Sequence, residues 1–227
     1  MTRLRTQGNV ERLDKMIAID VQQNTPEWMD VRRGIPTASK FSNILTNTGK
    51  KPSANVVNGY LHQLVAESYD AYEGWGGNKF TERGHEIEPQ AARAYEFVHD
   101  VEVTEVGFVL SDCKRFGGSP DRLVGENGGV EIKCKDGKAH VSMLLGDKLP
   151  TEHKSQVYGT LFLTGRDYWD FFAYHPKMTP LVVRVEATDQ EYIDWRDSFE
   201  TELGKFLEKL DSMKAKIGGL TEWVDSK

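Results

Sequence analysis

The sequence predicts a single α/β domain in which a mixed, mainly antiparallel central sheet of about five strands is flanked by helices. Apolar residues recur at helical spacing through the first hundred positions and again near the C-terminus. Between them lie short runs that alternate or are continuously apolar, separated by glycine-rich turns. The 227 residues, 38% hydrophobic and 28% charged, suit one domain with a well-buried core.

The elements follow in order. In "NTPEWMDVRRG", Thr25 is a cap, Pro26 fits the first helical position and Gly34 follows the end of a short helix. "TASKFSNIL" restarts a helix with Thr37 as its cap. From Ser53 to about Tyr72, Val56, Val57, Tyr60, Leu61, Leu64 and Val65 keep helical spacing. "YEGWGGNKF" is a loop. The next helix covers roughly Glu82–His99, with Ile87, Ala91, Ala94, Tyr95 and Val98 on one side and Pro89 expected near its first turn. "VEVTEVGFVL", "RFGGSPDRLVG" and "GVEIKCK" predict a meander, followed by a helical segment around Ala139–Leu145. Thr151–Leu163 is helical, with Val157, Leu161 and Phe162 apolar, and leads to the strands "YWDFFAYH" and "LVVRVEA". Thr188 and Glu191 form a T-x-x-E box that opens a long C-terminal helix, about 188–217, ending at Gly218-Gly219. Residues 1–24 read as an extension, and no linker divides the chain.

Composition narrows the function. Cys113 and Cys134 have no metal spacing and read as free thiols in a reducing compartment. The six histidines form no cluster, which argues against a zinc site. No stretch resembles a signal peptide or membrane span, so the expected location is the cytoplasm. A net charge of −6 taken alone argues against a nucleic-acid binder, but its distribution leaves room for one, the plainer alternative being a solvated basic patch of no consequence. Arg32 to Lys51 carries five bases and no acid, whereas Glu186 to Asp211 carries nine acids against three bases. An acidic outer face is compatible with a basic groove, because a ligand meets only the local field.

The most informative stretch is "GGSPDRLVGENGGVEIKCK", Gly117–Lys135. With the turn centred near Asn127, Asp121 falls opposite Lys133 and Leu123 opposite Glu131. Opposed Cβ atoms lie about 4.5–5.5 Å apart. Alternation puts Asp121, Glu131 and Lys133 on one face and sends Val130 and Ile132 into the core. Neighbouring carboxylates repel unless a proton or cation intervenes, and a hard divalent ion suits them. The plainer alternative is a wet hairpin with a ladder of charges.

Pro120, Asp121, Glu131, Ile132 and Lys133 match the signature of the PD-(D/E)XK nuclease superfamily. "WMDVRRGIPTASKFSNIL", "RGHEIEPQAARAYE", "GGSPDRLV…GVEIKCK" and "HKSQVYGTLFLTGRDYWDFFAY" occur in the order and spacing of the phage lambda exonuclease-like family of viral recombinase nucleases. The chain resembles that family from about Trp28 to Tyr174. The resemblance implies a PD-(D/E)XK nuclease-like core and a Mg²⁺-dependent 5′→3′ exonuclease on double-stranded DNA ends. Such an enzyme releases 5′-mononucleotides and leaves 3′ single strands for recombination by annealing. Two ions are implied, with Mn²⁺ a substitute, held by Asp121, Glu131, the Ile132 carbonyl and Glu88. Lys133 would orient or deprotonate the attacking water, and Gln156 would position water or phosphate. Arg32 and Ser39 match the pocket for a terminal 5′-phosphate, with Arg33 competing and with Lys50 and Lys51 as further DNA contacts. Trp75 or Phe80 would be the strand wedge, unless those aromatics simply anchor their loop. His153 stands where relatives may carry tyrosine and has no assigned role. The resemblance also implies a phage or prophage origin, a ring-shaped homotrimer and a phage single-strand annealing protein as partner. An endonuclease of the same superfamily, of resolvase or restriction type, and a non-catalytic DNA-binding module are the rival readings.

Overall fold

A computed structural model gives the fold and describes residues 16–71 and 79–225; for 79–86 and 219–225 only the backbone is described. The predicted loop at 72–80 therefore lies largely outside the described residues, as do Trp75 and the side chain of Phe80.

Among the described residues, eight strands form two sheets. The larger has the order β2 (Val103–Thr104), β5 (Arg122–Val124), β6 (Gly128–Cys134), β7 (Tyr168–His175), β8 (Met178–Glu186). Only the β6–β7 pair is parallel, so the sheet is mixed and mainly antiparallel, as expected. The smaller joins β1 (Ile17–Ile19), β3 (Phe108–Leu110) and β4 (Gly117–Gly118). It corrects the expected meander, because "VEVTEVGFVL" is split between the two sheets. Strands of two or three residues are too short to carry a readable period.

The helices are α1 (Pro26–Arg32), α2 (Ala54–Ser68), α3 (Lys79–His99), α4 (Gly137–Gly146), α5 (Lys154–Thr164) and α6 (Gln190–Asp225). Thr25 caps α1 by accepting the Trp28 N–H at 3.3 Å, with Pro26 in the first turn. "TASKFSNIL" forms a 3₁₀ helix, Ala38–Asn43, rather than an α-helix, and Thr37 makes no side-chain cap there. Pro89 lies in the interior of α3, which begins earlier than expected. Val56 and Val98, assigned to buried faces, are exposed. Gly218 and Gly219 do not end the last helix, which runs on to Asp225.

The core explains these departures. Helix α5 is buried nearly all round, from Ser155 to Thr164, so no single apolar stripe marks it in the sequence. Gly159 lets the 3₁₀ segment approach closely, since a Cβ there would stand 2.4 Å from the Phe41 ring. On the other face of the large sheet, Ala91, Ala92 and Tyr95 of α3 pack on Val124, Val130, Ile132 and Phe172.

A buried charge fixes the rotation of α3. Asp170, at zero exposure in β7, accepts the Tyr95 hydroxyl at 2.6 Å and two Arg184 bonds at 2.8 Å each. The Arg184 guanidinium also lies 3.7 Å from the centre of the Tyr168 ring. Tyr95 stands two turns beyond Glu88 on α3, so this network sets the direction in which Glu88 is presented. Replacing Asp170 by Ala leaves a buried hydroxyl and a guanidinium without their acceptor. The expected loss is about 2–4 kcal/mol in urea unfolding. A variant within about 0.5 kcal/mol of the parent would contradict this account.

Candidate active site

The site is built on the β5–β6 hairpin. Val124 pairs with Gly128, so the turn centres on Glu126 rather than Asn127, and Gly125 takes φ +50°. The expected pairings of Asp121 with Lys133 and of Leu123 with Glu131 are therefore displaced: Leu123 faces Gly129, and the register extended by one residue puts Asp121 opposite Glu131. Moving a turn by one residue moves every partner by two, which preserves the face. Asp121, Glu131 and Lys133 still converge, and Val130 and Ile132 still enter the core. Arg166 fastens the turn by donating to the carbonyls of Gly125 at 2.8 Å and Gly128 at 2.7 Å.

Glu131 is the centre of the cluster and has zero exposure. Its Oε1 accepts both the Lys133 ammonium and the Gln156 amide. Its Oε2 is buried and has no partner. Asp121 is held against the same strand, its Oδ2 accepting the Ile132 N–H at 2.7 Å. Burial, and then the charge of Asp121, push the Glu131 carboxyl up from 4.5 to about 7, against the pull of Lys133. Burial alone would lower the Lys133 ammonium, but Glu131 and Asp121 outweigh it and raise the group above its ordinary value. The carboxylates that face Lys133 thus favour its charged form in the metal-free protein.

A buried carboxylate oxygen without a donor beside a second carboxylate suits a hard cation. The residues therefore fit the implied ions: Asp121 and Glu131 as carboxylate ligands, with the Ile132 carbonyl between Glu131 and Lys133. Among the described residues, no three His, Cys, Asp or Glu side chains stand together as a ready-made cage. Glu88 is near enough to raise Glu131 electrostatically, yet its Oε1 is paired with Arg122 at 3.0 Å.

The basic residues separate clearly. Arg32 lies over the Trp28 ring at 4.0 Å and donates to the Thr37 hydroxyl at 3.4 Å, and Thr37 in turn is 3.4 Å from the exposed Ser39 hydroxyl. Arg33 instead pairs with Asp30 and Asp70, at 2.8 and 2.9 Å. Burial lowers the Arg32 guanidinium, while Tyr60 and Glu67 oppose that shift. Trp28 connects this pocket to the carboxylates, since its indole N–H donates to Ser119, two residues before Asp121, at 2.7 Å. Lys51 is paired with Glu202 at 2.9 Å and Lys50 is exposed, so the structure does not bring either into this cluster. Asn47 accepts the Ser155 N–H at 3.1 Å, at the start of α5. His153 is buried, stacks on Phe171 at 5.1 Å, and is lowered to about 4 by burial and then by the Lys133 charge.

Sequence reasoning missed Trp28 as a link, Asp170 as an anchor and Arg122 as a partner of Glu88. A lone Asp within the apolar run "YWDFFAYH" was the readable signal for the second.

A mixed sheet with a P-D…E-x-K hairpin and a glutamine-bearing helix defines a nuclease-type fold. The match to the YqaJ-like viral recombinase domain spans residues 27–167, and the chain belongs to that family. In fold it is similar to an alkaline exonuclease (LHK-Exo) from Laribacter hongkongensis, at 27% identity and TM-score 0.69 over 86% of this chain and 100% of the other. The same exonuclease in complex with dAMP aligns at TM-score 0.71, with the same identity and coverage. A phage related exonuclease from Haemophilus somnus 129PT shares the fold at 15% identity and TM-score 0.54, over 82% and 98% of the two chains. No curated protein sequence matches the chain. Among the described residues, no helix is long and apolar enough to cross a membrane.

The crowded carboxylates give the metal-free protein a distinct pH dependence. A buried acid raised from 4.5 to about 7 holds its proton more tightly folded than unfolded, so the stability it contributes is lost as pH climbs through that window. In EDTA, melting temperature should fall over this range in the parent and stay flatter in Glu131→Gln. Parallel pH profiles for the two proteins would show that Glu131 is not the group responsible.

Proposed function

We propose that the protein is a divalent-metal-dependent 5′→3′ exonuclease acting on duplex DNA ends, releasing 5′-mononucleotides and leaving 3′ single strands for recombination by annealing. One observation carries this reading: Glu131 is fully buried, gives one oxygen to Lys133 and Gln156, and keeps the other without a donor beside Asp121. The fold likeness to an alkaline exonuclease, solved also with dAMP, supports a nuclease that yields mononucleotides.

In the mechanism, Asp121, Glu131 and the Ile132 carbonyl hold one ion, and Glu88 joins a second. When bound, Mg²⁺ supplies Lewis-acid stabilisation of the leaving oxygen and lowers the pKa of the attacking water. Lys133, protonated while its carboxylates face it, orients that water and balances charge gathering on the phosphate. Gln156 reaches the same Glu131 oxygen and holds the carboxylate in place for this task. Arg32 and Ser39 bind the terminal 5′-phosphate, which requires a guanidinium fork and a hydroxyl. Trp28 ties that pocket, through Ser119, to the segment that leads through Asp121 into β5, so the phosphate and the cleavage point are registered by the same packing. Under this reading the substrate is an end, the assembly is a ring of three chains, and a phage annealing protein takes up the exposed strand.

Linear 5′-phosphorylated duplex should be degraded with Mg²⁺ and spared in EDTA, while covalently closed circles persist. Cleavage of the circles would instead favour an endonuclease. Asp121→Ala should abolish turnover in a folded protein; residual activity near the parent would defeat the site. Arg32→Gln should lose about tenfold on phosphorylated ends and little on dephosphorylated ones, as expected for charge-assisted bonds to phosphate. Equal losses on both substrates would remove Arg32 from the pocket.

A further inference from the structure

Arg122 follows directly on Asp121, and its side chain is only 9% exposed. One terminal nitrogen, Nη1, donates to Glu88 Oε1 at 3.0 Å and also to the main-chain carbonyl of Asp121. The other, Nη2, pairs with Glu105 at 2.8 Å. The guanidinium places a full positive charge beside the carboxylates. A cavity of about 480 Å³, bordered by Asp20, Gln23, Glu88, Glu105 and Arg122, adjoins the pair.

Glu88 therefore has two competing attractions. It lies next to the ion site, because the Arg122 nitrogen that holds Glu88 Oε1 also holds the main-chain carbonyl of Asp121. Its Oε1 is nevertheless committed to Arg122. Any cation that takes Glu88 as a ligand must draw it from the guanidinium or share it against that charge.

We propose that Arg122 is a positioning residue that sets the affinity of the second divalent ion, by holding Glu88 in an ion pair that the ion has to break. This rests on the reading that Asp121, Glu131 and Glu88 bind ions. The pair does two things at once. It neutralises a third carboxylate while the site is empty of cation, and it keeps the second ion weak until substrate phosphate adds negative charge. Glu105 divides the guanidinium with Glu88 and so moderates the grip.

Calorimetric titration of Mn²⁺ into the DNA-free full chain, into Arg122→Gln and into Glu105→Gln tests this. Arg122→Gln should bind the second ion at least about fivefold more tightly, because a unit charge has left its vicinity. Glu105→Gln, at an 80% exposed side chain, leaves the whole guanidinium to Glu88 and should weaken that ion about two- to threefold. A merely structural arginine would lower stability without strengthening metal binding. Unchanged or weaker second-ion affinity in folded Arg122→Gln overturns the proposal. Should that variant not fold, unchanged binding by Glu105→Gln overturns it. A parent that binds one ion and an Arg122→Gln variant that binds two supports it. A parent that binds no ion at all overturns the nuclease reading, and this proposal with it.

Discussion

The structure depends on keeping an acidic side chain, Glu131, at zero exposure in the middle of a sheet. An isolated buried carboxylate is costly, and here only one of its oxygens is served. Much of the surrounding architecture can be understood as what holds that arrangement. Arg166 fastens the turn that aligns β5 with β6, and β7 lies parallel beside β6. Helix α5 delivers Gln156 from a position so enclosed that the helix cannot shift without disturbing the core. Lys133 supplies the compensating charge from the same strand, on the same face, two residues on.

A second layer relates the site to the rest of the molecule. Helix α3 carries Glu88 and is pinned by Tyr95 to the buried Asp170–Arg184 pair. Helix α1 places Trp28 between Ser119 and Arg32, so the Arg32 cluster and the segment leading into Asp121 share one aromatic side chain. The long acidic helix α6 packs through Tyr192, Trp195, Phe199 and Leu203 and turns most of its charges outward. The last helix thus accounts for much of the chain's acidity, while the stretch from Arg32 to Lys51 carries none.

What was legible in the sequence is what depends on local pattern. Glu131, Ile132 and Lys133 alternate within one strand, and Asp121 lies across a short turn, so their common face follows from period alone. Even the misplaced turn centre left that face intact. Thr25, Pro26 and the strand Tyr168–His175 were likewise readable from neighbours. What depends on distant partners was not. Arg122 meets Glu88 across 34 positions and Tyr95 meets Asp170 across 75. No local period encodes either. Strand β1, at three residues, was not readable, and β4, at two, was not told apart from β5 within "RFGGSPDRLVG", because such short strands carry no period. Val98 shows the opposite failure, since helical spacing marked it as buried although it is exposed.

The claim beneath all of this is that Asp121 and Glu131 jointly hold a divalent ion. Anomalous diffraction from crystals soaked in Mn²⁺ addresses it most directly. The account predicts a peak within coordination distance of both carboxylates, with Glu131 Oε2 turned toward it, and no such peak in Asp121→Ala. A parent site free of anomalous density, with the two carboxylates still hydrogen-bonded as described, would contradict it.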